Sequence, residues 1–265
     1  MDKITFNTMK RVISIIAVAL ICLTAVAQEQ RTWCKKVFVS SEGLELPYCI
    51  LYPKNFNPEQ SYPMLVMLHG SGERGNDNEA QLIHGGKLLS TSEELYDVIT
   101  IVPQCPNDSI WAMSRNWKNV MSNEKETGAG LAVMELLREF IGLGFADPDR
   151  VYGTGLSMGG IGILDLAMTY PDFFAAVQPI CGSFNIRRAQ TYKGKTAFRF
   201  FHGTNDKAVD PQASIKGSKI LADSQTESVL VLYPGVAHGS WYNAFAEPDF
   251  LSWMLSRTRK TKSKK

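Results

Sequence analysis

Four short stretches carry residue types able to do chemistry together. The first is Gly155-Leu156-Ser157-Met158-Gly159, followed by Gly160. A serine between glycines two before and two after suits a sharp strand-to-helix turn that lifts its hydroxyl clear of the backbone. Glycines relieve the crowding there. The helix that follows would aim its first amides at developing negative charge, with the Met158 N–H as one donor to an oxyanion. The chemistry this allows is nucleophilic attack on an acyl carbonyl.

A serine hydroxyl needs a base, and an imidazole titrates in the right range. The histidines are His69, His84, His202 and His238. In a serine-acid-histidine chain order, His69 and His84 come too early. His238, in Gly235-Val236-Ala237-His238-Gly239-Ser240-Trp241, follows a strand-like run and is the expected base. His202 closes the preceding strand in Phe201-His202-Gly203-Thr204-Asn205-Asp206. Asp206 and Asp210 are the candidates for the orienting acid. Asp206 stands closer to the strand end, whereas Asp210 before Pro211 reads as a helix cap. Asp165 falls inside a helical run and reads as a solvated or ion-paired face.

The remaining stretch is His69-Gly70-Ser71-Gly72-Glu73-Arg74-Gly75. It lets backbone approach a ligand closely. Ser71 is assigned the second oxyanion N–H, with Gly70 as the neighbouring register and a substrate contact. A phosphate cradle is the competing use, but the loop lacks the Gly-Lys-Ser/Thr ending. His69 reads as structural, bonding backbone under the loop. Glu73 and Arg74 read either as braces between loops or as surface charge. Trp111, Trp117 and Trp241 are candidate pocket walls, Trp241 foremost because it lies three residues past His238. Cys105 lacks a turn motif that would make it a rival nucleophile.

These residues need strand ends to stand on. Lys35–Ser40 and Leu44–Tyr52 predict an antiparallel hairpin around Ser41-Glu42-Gly43. Met64–Leu68 and Val98–Val102 are continuous apolar runs, the mark of strands buried on both faces. Arg150–Thr154, Ala175–Cys181, Ala197–His202 and Ser228–Tyr233 continue the series, with Asp147-Pro148-Asp149 as a turn. Helical spacing covers Gly130–Ile141 and Met158–Tyr170, with helical runs near Pro211–Ser224 and Pro248–Ser256. Alternating strands and helices predict an α/β fold: a mostly parallel central sheet, helices on both faces and an antiparallel N-terminal hairpin. Ligands in such folds sit beyond the C-terminal strand ends.

In that order the motifs resemble the α/β-hydrolase superfamily. They are most similar to its phospholipase/carboxylesterase and dienelactone-hydrolase-like branch, which includes secreted acetyl and feruloyl esterases and predicted peptidases. The similarity covers about residues 35–256. It implies the α/β-hydrolase fold and a triad of Ser157, Asp206 and His238. The chain departs from lipases and prolyl oligopeptidases in having neither a long lid insertion nor a large N-terminal propeller. The implied activity is a secreted serine carboxylic-ester hydrolase working through an acyl-enzyme on short acyl or aromatic esters, such as those on polysaccharides. A prolyl-oligopeptidase-like serine peptidase with the same triad is the alternative, as is a non-catalytic carbohydrate-binding relative. No metal or organic cofactor is called for.

The chain has 265 residues, 45% hydrophobic and 20% charged, with a formal net charge of +2. These are globular values, and nothing in the balance points to nucleic acid. Lys3, Lys10 and Arg11 precede the apolar run Val12–Thr24, which ends in Ala25-Val26-Ala27. That pattern predicts a signal peptide over residues 1–27, export to the periplasm or exterior, and no lasting membrane insertion. An uncleaved anchor is the other reading. Cys22, preceded by Leu20-Ile21, argues against a lipoprotein site. Residues 28–256 read as one catalytic domain and 257–265 as a disordered basic tail. Cys34, Cys49, Cys105 and Cys181 match no zinc spacing. Buried free thiols or oxidised pairs are both compatible with export.

Overall fold

The computed structural model describes residues 31–112 and 128–259. The predicted signal segment, Trp117 and the end of the tail lie outside the described residues. Eight strands form one sheet: β1 (Cys34–Val39), β2 (Glu45–Leu51), β3 (Tyr62–Leu68), β4 (Ile99–Pro103), β5 (Ala146–Leu156), β6 (Ala176–Ile180), β7 (Ala197–Gly203) and β8 (Ser228–Tyr233). Their order is β1-β2-β4-β3-β5-β6-β7-β8. The β1–β2 and β2–β4 pairs are antiparallel, and every pair from β4–β3 onward is parallel.

Seven helices are described: α1 (Gly86–Thr91), α2 (Ala129–Gly142), α3 (Met158–Thr169), α4 (Arg187–Thr191), α5 (Gln212–Asp223), α6 (Trp241–Phe245) and α7 (Phe250–Leu255). Strand side chains alternate between the two faces of a sheet. Accordingly Met64, Val66 and Leu68 of β3 join one apolar cluster, with Met134 and Leu137 of α2 and Ile163 of α3. Leu65 and Met67 join a second, with Leu89 of α1, Ala244 of α6 and Leu251 and Met254 of α7. Both faces of β3 are therefore dry, which is why its sequence is an unbroken apolar run. Among the described residues no helix is long and apolar enough to cross a membrane.

One local expectation changes. Asp147-Pro148-Asp149 is not a free turn but lies inside β5. Asp147 Oδ1 accepts the Asp149 N–H at 2.9 Å, the local bond a turn would use. The ladder with β3 steps from Tyr62–Ala146 to Met64–Val151 across it, so the turn chemistry survives as a bulge. The short helices α1, α4 and α6 were invisible to periodicity because five or six residues barely exceed one turn.

Candidate active site

Ser157 sits at the turn between β5 and α3. Its φ of 52° and ψ of −115° lie outside the ordinary regions for a side-chain-bearing residue. The turn closes because nothing intrudes on it. A Cβ on Gly159 would fall 1.9 Å from the Leu68 carbonyl oxygen, and one on Gly155 would fall 2.4 Å from that of Gly159. Any other residue at either position would push α3 off β3. Met158 opens α3, so its N–H belongs to the first turn, which has no acceptor inside the helix.

His238 comes from the loop after β8. That loop folds over the end of β7 because Gly203 leaves room: a Cβ there would meet the Val236 and Ala237 carbonyl oxygens at 2.3 and 2.5 Å. The Asn205 N–H donates to Val236 O at 2.9 Å and holds the two loops together. The result is a continuous line. The Ser157 hydroxyl donates to His238 Nε2 at 2.9 Å, and His238 Nδ1–H donates to Asp206 Oδ2 at 2.7 Å.

Asp206 is buried, and burial alone would raise its pKa. The hydrogen bond from His238 and the amides of Val209 and Ala208 outweigh that penalty and hold the carboxyl below its ordinary range. Both amides donate to Asp206 Oδ1 at 2.9 Å, leaving Oδ2 for the imidazole. Asp210 instead accepts the Gln212 N–H at 3.0 Å at the start of α5.

His202, which sequence reasoning left without a role, is fully buried beneath this group. Its Nε2 donates to Val209 O at 3.0 Å and stands 3.3 Å from Asp206 Oδ2, and its Nδ1 accepts the Ser214 hydroxyl at 2.9 Å. Burial lowers its pKa and keeps it neutral.

The glycine-rich loop follows β3. Ser71 begins a 3-10 turn, Ser71–Glu73, directly after Gly70. A Cβ on Gly70 would press on Leu156 Cδ1 at 2.9 Å and Glu73 Oε2 at 3.0 Å. His69 lies under the loop: its Nε2 accepts the Cys105 N–H at 2.9 Å and its Nδ1–H donates to Gly70 O at 2.5 Å. Burial pushes its pKa down to about 4. Arg74 donates to Ser71 O at 3.0 Å and Asn107 O at 3.2 Å, bracing two loops. Glu73 is buried, 3.7 Å from His84 Nε2.

Trp111 is corrected. It has no exposed surface, its indole N–H donates to His69 O at 2.9 Å, and its ring packs edge-on against the His69 ring. It is a core support of the loop rather than a pocket wall. Trp241 is placed otherwise. It is half-buried, its ring stands at 90° to that of His238 with centroids 5.6 Å apart, and it also faces His84 at 5.3 Å. Asp165 pairs with Arg188.

Cys49, Cys105 and Cys181 are buried free thiols. Burial pushes the Cys105 thiol up to about 12, which removes it as a nucleophile at neutral pH. Burial does the same to Cys181, just past β6. Among the described residues, Cys181, Asp206 and His238 are a group whose ligand atoms all lie within 4.8 Å of one another.

A family model described as "Putative esterase" matches residues 43–227, more than half of the chain. The chain belongs to this esterase family. The matched range includes Ser157 and Asp206 and stops short of His238. A solved thermostable esterase is 31% identical with a TM-score of 0.76 over 86% of this chain and 63% of that one. A ferulic acid esterase from the anaerobic fungus Anaeromyces mucronatus is 17% identical with a TM-score of 0.59 over 82% of this chain and 90% of that one, a likeness of fold. The poly(3-hydroxyalkanoate) depolymerase C of Paucimonas lemoignei is 30% identical over 120 residues, 45% of this chain and 28% of that protein. The esterase thus has the α/β-hydrolase fold, and it spans less than two thirds of the thermostable esterase and of the curated depolymerase.

Proposed function

We propose that this esterase is an exported serine carboxylic-ester hydrolase acting through an acyl-enzyme. The observation that carries the reading is the unbroken line from Ser157 through His238 to Asp206 at 2.9 and 2.7 Å. Ser157 attacks the ester carbonyl while His238 Nε2 takes its proton. Asp206 fixes the tautomer and stabilises the imidazolium. The N–H groups of Met158 and Ser71 hold the oxyanion. His238 then protonates the departing alcohol, and water repeats the cycle on the acyl-enzyme.

Short acyl or aromatic esters on oligosaccharides are the proposed substrates, with Trp241 offering an aromatic face beside the base and Gly70 close backbone approach. The names of the matched family, the thermostable esterase and the depolymerase support ester chemistry. Residues 1–27 serve as the export signal, 28–256 as the catalytic domain and 257–265 as a basic tail.

The test is turnover of short-chain p-nitrophenyl esters by the wild type and by Ser157→Ala. The expected outcome is turnover that falls about 10⁴-fold or more in the variant while the fold is kept. Peptide amides cleaved faster than these esters would turn the reading to a peptidase. Failure of a fluorophosphonate probe to label Ser157 would turn it to a binding relative.

A further inference from the structure

Cys181 occupies an unusual place. It follows β6 with a φ of 40°, in the left-handed region that residues with a Cβ rarely adopt. Its N–H donates to Phe201 O at 2.8 Å, which ties it to the next strand. The side chain is fully buried. The acyl-transfer steps make no use of this thiol. Yet its Sγ, a carboxylate oxygen of Asp206 and a ring nitrogen of His238 lie within 4.8 Å of one another.

We propose that Cys181, Asp206 and His238 form an inhibitory site for a borderline-soft divalent cation of the Zn²⁺ class. Sulfur, imidazole nitrogen and carboxylate oxygen are the donors such ions take, and three protein ligands leave a fourth position for water. Hard cations such as Mg²⁺ and Ca²⁺ prefer oxygen alone and fit this set poorly. Bond lengths of about 2.0–2.3 Å around a tetrahedral ion put ligand atoms about 3.5 Å apart. The Asp206–His238 separation of 2.7 Å therefore opens slightly, and the sulfur moves in. His238, with 29% of its side chain accessible, is the wall through which an ion arrives.

The consequence follows from the two ring nitrogens. An ion on Nδ1 needs that lone pair, so the imidazole's single proton moves from Nδ1 to Nε2. The ring then presents an N–H, not a lone pair, to Ser157 Oγ 2.9 Å away, and the serine loses its base. The Cys181 S–H bond breaks, a sulfur–metal bond forms and the thiol proton leaves to solvent. Nothing is oxidised or reduced, so a chelator reverses the change.

The loss of activity rests on the acyl-transfer reading, whereas binding does not, so binding is read first. Full-length wild type and Ser157→Ala are titrated with Co²⁺ and followed by absorbance, because a cobalt–thiolate pair gives a near-ultraviolet charge-transfer band. The expected result is that band in both proteins, its loss in Cys181→Ala, and its displacement by Zn²⁺. In ester turnover, micromolar Zn²⁺ inhibits the wild type, EDTA restores it, and Cys181→Ala needs about tenfold more Zn²⁺ or higher. Absence of the band in wild type overturns the proposal without any variant. Equal Zn²⁺ sensitivity in wild type and Cys181→Ala also overturns it, since Cys181 would then not be a ligand. If the alanine variant does not fold, Cys181→Ser takes its place. A thiolate band in a protein that turns over no ester supports the metal site and sinks the acyl-transfer reading instead.

Discussion

His202 Nε2 stands 3.3 Å from Asp206 Oδ2, the same oxygen that His238 reaches at 2.7 Å. Two histidines on adjacent strand ends thus share one carboxylate oxygen. Two backbone amides occupy the other oxygen and orient the carboxylate towards the imidazoles.

Replacing that acceptor tests its role. In Asp206→Asn one oxygen becomes an amide nitrogen, and the side chain can no longer accept from both sets of donors. The expected fall in kcat on short-chain esters is about 10⁴-fold, because the imidazole is held in the wrong tautomer. Steady-state kinetics decide it. A fall of less than about tenfold would mean that Asp206 does not orient the base.

The backbone strain at Ser157 predicts a trade between stability and activity. Ser157→Gly keeps the turn and removes the Cβ that resists a φ of 52°. It should unfold at a higher temperature, by the equivalent of about 1 kcal/mol, and show no ester turnover. Calorimetry beside the activity assay checks both halves.

The close approach of α3 to β3 predicts a sharp contrast between two glycines. Gly159→Ala drives a methyl to within 1.9 Å of the Leu68 carbonyl and should cost about 3 kcal/mol or more. At the end of α2, a Cβ on Gly142 meets nothing within 4 Å, so Gly142→Ala should be neutral or stabilise by up to about 1 kcal/mol. Urea midpoints of the two variants separate the outcomes.

The two tryptophans should behave oppositely. Trp111→Ala empties a fully buried site and removes the bond to His69 O, so it should cost about 3–5 kcal/mol of stability. Trp241→Ala should leave stability nearer the wild type but lower kcat/KM on aromatic or sugar esters, since its ring abuts His238. An unfolding curve and a substrate panel on both variants would expose an exchange of roles.

His69 predicts a pH dependence of stability. Its native pKa is pushed down from 6.5 to about 4 by burial, so the folded state leaves it neutral while the unfolded chain protonates below 6.5. Unfolding then takes up a proton between those values, and stability rises with pH across that window. The contribution is complete above about pH 6.5, is lost as pH falls towards 4, and amounts to about 3 kcal/mol. Urea denaturation at several pH values should show a slope between pH 4 and 6.5 that is smaller in His69→Gln by close to one proton.

Much of this arrangement is legible in the sequence because it is local. Unbroken apolar runs announce β3 and β4, buried on both faces, and helical spacing announces α2 and α3. The Gly155–Gly160 stretch announces its own turn, since only glycine lets two backbones meet there. Asp210 before Pro211 announces a helix start. The esterase family is legible for the same reason, its motifs being short and ordered along the chain. Tertiary structure decided everything that depends on which distant segments become neighbours. Ser157 and His238 are 81 residues apart, and His238 and Asp206 are 32 apart, yet they touch because β5, β6, β7 and β8 lie side by side. Sheet order sends Trp111 inward against His69 and Trp241 outward beside His238. It brings Cys181, at the end of β6, to the same place as Asp206 and His238. A residue's type sets which bonds it can make, but the packing of strands fixes which partner is within reach to make them.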